Sequence, residues 1–185
     1  IDLRDNHQVP VHGIGVQGHI GGSGINGRTQ QFFKECFDIQ FNHSSEKWGC
    51  YLGVEKKVDY VFFGDSHSVS YITLIDKLAN KHGVSIFYTG AFGCLPFIGA
   101  YPLNRIDQRE NDCKLLSDRV FNFSRENNLK GIILAARWSF YIAKSKDRKS
   151  QLITEDITQP SSSEQSINAF INTFHNTVKA YNSID

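Results

Sequence analysis

Residues 58–66 read Val-Asp-Tyr-Val-Phe-Phe-Gly-Asp-Ser, a β-branched and aromatic run that stops at Gly64-Asp65-Ser66 and is followed by His67 and an amphipathic stretch. That order of residue types sets a serine on a strand-to-helix turn. A serine hydroxyl is a poor nucleophile, so acyl chemistry needs it exposed, near a base, and beside donors for the oxyanion. Gly64 permits a tight exit from the strand and close substrate approach. The Ser66 N–H would face out of the first helical turn, where partial positive charge gathers. Ser66 is thus the candidate nucleophile and its own amide half of a candidate oxyanion hole. The competing reading is that Asp65 or Ser66 merely caps the next helix.

Two later segments carry compatible chemistry. Gly90-Ala91-Phe92-Gly93-Cys94-Leu95-Pro96 offers Gly93, whose backbone N–H could reach an oxyanion unobstructed, and Ala135-Ala136-Arg137-Trp138-Ser139-Phe140-Tyr141 is a polar and aromatic cluster where a third donor would sit. Gly13-Ile14-Gly15-Val16-Gln17-Gly18 matches the dinucleotide fingerprint, but the strand before it and the helix after it are missing, so it is not read as a nucleotide site. Among the histidines, His67 adjoins Ser66 but neighbours on a turn point apart, His82 and His175 fall on helices, and His7, His12, His19 and His43 lie in irregular sequence.

The elements that must position these groups follow from periodicity. Residues 1–57 show no sustained pattern and read as an irregular N-terminal extension that packs on the core or links upstream. From residue 58 apolar strands alternate with helices, as in a parallel sheet covered on both faces. The strands are predicted at 58–63, 84–88 and 131–135. A helix over 68–82 would bury Val69, Ile72, Ile75, Leu78 and Ala79 and stop at Gly83, and another over 107–127 would bury Cys113, Leu116, Val120 and Phe123. Residues 144–159 are polar, and Pro160-Ser161-Ser162-Ser163-Glu164 can open a last helix with a capping box, burying Ile167, Phe170, Ile171, Phe174, Val178 and Tyr181. The strands' carboxyl ends meet at one edge, where open α/β sheets bind ligands.

With 185 residues and a net charge of +1, the chain fits one domain and carries no field that would attract nucleic acid. It contains no metal-binding C-x-x-C pair, no Met, and no apolar run long enough to cross a bilayer; it is expected to be an excerpt of a longer protein. Cys36, Cys50, Cys94 and Cys113 allow three pairings, or four free thiols. The sequential pairing, Cys36 with Cys50 and Cys94 with Cys113, closes short loops and is favoured, which implies an oxidising compartment.

Asp59 to Ser68, Gly93-Cys94-Leu95-Pro96 and Ile133-Leu134-Ala135-Ala136-Arg137-Trp138 together resemble the SGNH hydrolase superfamily. The resemblance is to the SGNH-like domain fused behind membrane acyltransferase-3 domains in bacterial carbohydrate O-acyltransferases, and it runs over residues 58–181. It implies a flavodoxin-like three-layer α/β sandwich on a central parallel sheet, residues 58–185, short of its C-terminal part. It also implies Ser66 as nucleophile and the Ser66 and Gly93 amides as oxyanion donors. Two departures stand out. The family's Gly-x-Asn-Asp block is replaced by Arg137 and Trp138, which become candidates for the substrate site. No Asp is followed three residues later by His, so the family's catalytic Asp-x-x-His segment is absent and residues 1–185 alone are expected to show little activity.

The function so implied is transfer of an acetyl group through a Ser66 acyl-enzyme to a sugar hydroxyl of lipopolysaccharide O-antigen or a related surface polysaccharide. The partners would be that polysaccharide or its lipid-linked precursor and an acyltransferase-3 domain in the same parent chain. The location would be the periplasm, tethered to the inner membrane. The domain itself would bind no cofactor or metal; the acetyl donor, acetyl-CoA, would be used by the upstream membrane domain. A free-standing carbohydrate or lipid esterase and a catalytically inactive glycan-binding module remain the alternatives.

Overall fold

A computed structural model of the chain describes residues 36–38, 47–102, 110–142, 153–155 and 162–184. The fingerprint-like stretch 13–18, His7, His12, His19 and His43 lie outside the described residues.

Four strands form the main sheet in the order β1-β3-β2-β5: β1 (Cys50–Gly53), β2 (Tyr60–Gly64), β3 (Ser85–Gly90) and β5 (Gly131–Ala135). β2 lies between β3 and β5 and is parallel to both, whereas β1 adds to β3 antiparallel. The fold is therefore α/β on a mixed, mostly parallel sheet. Its antiparallel edge comes from within residues 1–57, read above as irregular. β4 (Tyr101–Pro102) and β6 (Ile153–Thr154) make a separate two-stranded ladder.

Alternation along the strands divides the core. Phe62, Ile86, Tyr88 and Leu52 face a 3₁₀ turn (Ser68–Tyr71) and helix α1 (Ile72–His82), with Val69, Ile72 and Ala79 buried against them. Val61, Phe63 and Phe87 face the opposite way, onto Val120, Leu116 and Phe123 of α2 (Glu110–Glu126). Short α3 (Trp138–Ile142) and long α4 (Ser163–Tyr181) complete that second side, around Leu95, Phe97, Tyr141, Ile153 and Ala169. Gly83, in the left-handed conformation, ends α1 where the sequence places the stop. Ser162 caps α4 with Gln165 in a reciprocal capping box.

The structure departs from the expected burial at two helices. On α1, Leu78 is exposed while Asp76 is buried, because the Asp76 carboxylate accepts the Gly53 N–H at 3.0 Å and the Asn80 amide at 3.2 Å. On α4, Ile171, Phe174 and Val178 are 46%, 42% and 40% exposed, and Ser166, Ala169, Thr173 and Thr177 face inward instead. The reason is polar accounting. Ser166 Oγ accepts the Ile153 N–H (2.9 Å) and Thr177 Oγ1 accepts the Ile98 N–H (2.8 Å), so small hydroxyl side chains satisfy backbone donors that a large apolar stripe would leave unpaired.

Both disulfides take the sequential pairing, Cys36–Cys50 and Cys94–Cys113. At the amino ends of the strands, buried Asp59 accepts the Ser85 N–H (2.9 Å) and pairs with Lys130 and Lys56, each at 2.8 Å. The Lys130 and Lys56 ammonium groups, helped by the Ser85 N–H, hold its carboxyl far below the usual carboxylate range.

At the carboxyl ends, Gly64 stands opposite both Gly90 and Ala135. A Cβ on Gly64 would lie 2.0 Å from the Ala135 carbonyl oxygen and 2.5 Å from Ser68 Cβ. Gly64→Ala is expected to cost about 2–3 kcal/mol by overpacking, read as a lowered urea midpoint; an unchanged midpoint would mean the strand ends part freely. Because the Asp59 pKa is depressed on folding, its stabilisation is present above the unfolded value of about 4 and drains away as pH falls below it. Urea titrations between about pH 5 and 2 should therefore show a shallower acid loss in Asp59→Asn than in the wild type, and equal slopes would remove Asp59 as a source of acid sensitivity.

Candidate active site

Gly64 ends β2, and the chain turns at Asp65-Ser66-His67 into the 3₁₀ turn and α1. The turn is built around Asp65, which is 2% exposed. Its Oδ1 accepts the His67 N–H at 2.8 Å, an Asx-turn across Ser66. Its Oδ2 accepts the Arg137 N–H at 2.9 Å and the Tyr141 hydroxyl at 3.0 Å. Its own N–H donates to the Ala135 carbonyl at 3.2 Å, and its carbonyl accepts the Ser68 N–H at 2.9 Å and the Ser68 hydroxyl at 2.7 Å. Since the Ser68 proton is committed to Asp65, the Tyr88 hydroxyl 2.9 Å away is the donor to Ser68. Burial pushes the Tyr88 phenol well above its ordinary value; the Ser68 hydrogen bond opposes this and the Asp65 charge adds to it, so Tyr88 keeps its proton.

Ser66 is the residue this arrangement leaves uncommitted. It is half-buried, and among the described residues neither its hydroxyl nor its N–H makes a hydrogen bond. The Asp65 side chain thus does not cap a regular helix: the 3₁₀ turn begins at Ser68 with His67 as N-cap and no side-chain cap, and Asp65 serves the turn and the segment after β5.

The neighbouring strand end supplies the second amide. Gly90 pairs with Gly64, the Ala91 N–H donates to the Gly64 carbonyl (3.2 Å), and the chain turns through Ala91–Cys94, closed by a Cys94 N–H to Ala91 carbonyl bond of 3.3 Å. Gly93 adopts φ +61°, a region costly for any side chain with a Cβ. Like that of Ser66, its N–H donates to nothing among the described residues. Two uncommitted amides therefore sit on the adjacent carboxyl-end turns of β2 and β3.

The third strand end behaves differently. The Arg137 N–H is taken by Asp65, and its exposed guanidinium lies 5.5 Å over the Phe140 ring. Trp138, 36% exposed, stacks on buried Phe97 at 5.5 Å and 21° between planes and meets Phe170 edge-on at 6.4 Å. Among the described histidines, His67 and His175 are exposed, His82 ends α1, and none is hydrogen-bonded to Ser66. No group of three or more potential metal ligands occurs among the described residues. No helix among them is long and apolar enough to cross a membrane.

The importance of Asp65 and Tyr141 goes beyond the sequence reading. Tyr141 follows Arg137 by four residues, so a short helix after β5 would put both on one face, which is the one available signal.

A serine raised on a turn after the central parallel strand, with free amides there and on the next strand's turn, defines the class of serine-nucleophile α/β hydrolases and acyltransferases. Within it, the profile of the SGNH domain (fused to AT3 domains) matches residues 35–183, and the chain belongs to that family. No curated protein and no solved structure matches the chain. The matched region starts ahead of β1 and takes in both disulfides.

Because Asp65 satisfies three separate donors, removing its charge or one partner is expected to loosen the turn. Tyr141→Phe should cost about 1–2 kcal/mol, and Asp65→Asn, whose amide turns a donor toward a donor, about 2–3 kcal/mol, both measured by urea unfolding. An Asp65→Asn protein as stable as the wild type would show that these bonds do not hold the turn.

Proposed function

We propose that this domain carries an acetyl group on Ser66 and passes it to a sugar hydroxyl of a bacterial surface polysaccharide, with lipopolysaccharide O-antigen or its lipid-linked precursor as the preferred acceptor. Ser66 Oγ would attack the acetyl carbonyl and lose its proton to a base, and the Ser66 and Gly93 amides would receive the negative charge that gathers on the carbonyl oxygen. The donor would then leave with that proton, and the sugar hydroxyl would repeat the sequence in reverse to resolve the acyl-enzyme.

The single observation that carries this reading is the pair of uncommitted amides flanking an uncommitted, half-buried serine at the carboxyl edge of the sheet. Family membership supports it, since these domains occur fused to AT3 domains. A membrane acyltransferase-3 partner in the same parent chain would deliver the acetyl group from acetyl-CoA, with this domain on the periplasmic side of the inner membrane; the two disulfides suit such an oxidising compartment. Partly exposed Trp138 and exposed Arg137 suit stacking on a sugar and hydrogen bonding to its hydroxyls. The base must come from outside the described histidines, because none touches Ser66.

In cells making the complete protein, Ser66→Ala is expected to abolish acetylation of the surface glycan, a fall of at least about 1,000-fold for loss of a nucleophile, while protein abundance is unchanged. Undiminished acetylation would refute the acyl-enzyme.

A further inference from the structure

The turn that presents Gly93 is gripped on both sides, and one grip comes from a distant part of the chain. On its far side, Cys94 is bridged to Cys113 of α2. On its near side stands the short segment Cys36-Phe37-Asp38, which occupies the β3 edge beyond β1: the Asp38 N–H donates to the Gly90 carbonyl at 2.9 Å. The Asp38 Oδ1 accepts the Phe92 N–H at 3.3 Å, and the Phe37 ring meets the Phe92 ring edge-on at 4.9 Å. Asp38 itself holds φ +54°, a conformation that Asp and Asn tolerate better than other side chains. The segment is in turn fastened to the first residue of β1 by Cys36–Cys50, and Cys36 and Phe37 are buried in the core.

We propose that Asp38 is a positioning residue for the oxyanion site, setting the direction of the Gly93 amide through Phe92, with Cys36–Cys50 holding Asp38 in register. The proposal rests on the acyl-enzyme reading above. Its physical basis is the steep dependence of oxyanion stabilisation on donor geometry: a peptide plane anchored at the residues before and after Gly93 keeps that N–H fixed, and releasing one anchor lets it swing. Nothing in the residue types announces this role. It arises because a segment remote in sequence takes the edge position that β1 vacates.

The test uses the full-length protein and hydrolysis of nitrophenyl acetate, with Ser66→Ala run in parallel. Asp38→Gly keeps the left-handed backbone accessible and removes the carboxylate; Asp38→Asn keeps both an acceptor oxygen and tolerance of positive φ. Asp38→Gly is expected to lower kcat by about 10- to 100-fold with KM and the near-UV circular dichroism spectrum unchanged, and Asp38→Asn to stay within about twofold of wild type by retaining the bond. The double variant Cys36→Ser/Cys50→Ser, which frees the anchor but keeps the carboxylate, is expected to shift kcat the same way. It supplies the reading where Asp38→Gly does not fold. Wild-type kcat in Asp38→Gly or the double variant, or an Asp38→Asn loss as deep as that of Asp38→Gly, overturns the positioning role while Ser66→Ala still eliminates turnover. Turnover that survives Ser66→Ala overturns the acyl-enzyme, and the positioning role with it.

Discussion

The structure depends on one buried carboxylate. A strand that ends by throwing a side chain outward leaves backbone donors behind in a crowded, half-dry place, and each buried donor without a partner costs about 1–3 kcal/mol. Asp65 collects two of them, from His67 and Arg137, together with the Tyr141 hydroxyl, while its own amide reaches the Ala135 carbonyl. Among the described residues, the groups of the turn that bond to Asp65 are thereby satisfied, while the Ser66 hydroxyl and N–H are left uncommitted. A half-buried, uncommitted serine is what remains once the turn's hydrogen bonding has been completed by its neighbour.

That arrangement works only because the strand ends are bare. Gly64, Gly90 and Ala135 lie side by side in register, and a Cβ at Gly90 would fall 2.3 Å from the Gly64 carbonyl oxygen. The strand ends beneath Ser66 therefore expose mostly peptide, and the uncommitted donors beside them are main-chain amides on the turns that follow β2 and β3. At the opposite end of the sheet Asp59 also accepts an N–H from the neighbouring strand, but there two lysines neutralise it. The two aspartates do the same mechanical work in different electrostatic surroundings.

Much of this was legible in the sequence, for identifiable reasons. The strand at 131–135 and the stop at Gly83 rest on local chemistry, a short apolar run and a left-handed glycine, and both stand where expected. Of the pairings that four cysteines allow, the sequential one favoured for its short loops is the one formed. What failed was the inference from apolar spacing to burial on α4. Ile171, Phe174 and Val178 have helical periodicity, but the inner face is decided by N–H groups at Ile98, in a loop, and Ile153, in β6, that need hydroxyl acceptors, and those needs exist only after folding. Arg137 illustrates the same limit. Its place after β5 made it a candidate for the substrate site, and that its backbone N–H is taken up by Asp65 is decided only in the folded turn. Asp38 was invisible because its partners are Gly90 and Phe92, more than fifty residues away.

The charge of Asp65 adds a further constraint on how the crevice can work. Among the described residues its partners are neutral donors, and no lysine or arginine pairs with it. At the separation of adjoining residues, an effective dielectric of about 20 leaves a repulsion of a few kcal/mol between this carboxylate and an oxyanion formed at Ser66. The same field favours a cation, such as a histidine base that has just taken the serine proton. On the acyl-enzyme proposal, oxyanion formation would rest on amides held firmly enough to outweigh the repulsion. A loosely held Gly93 turn could not do this, which gives a physical reason for a disulfide on one side of Gly93 and a disulfide-anchored aspartate on the other.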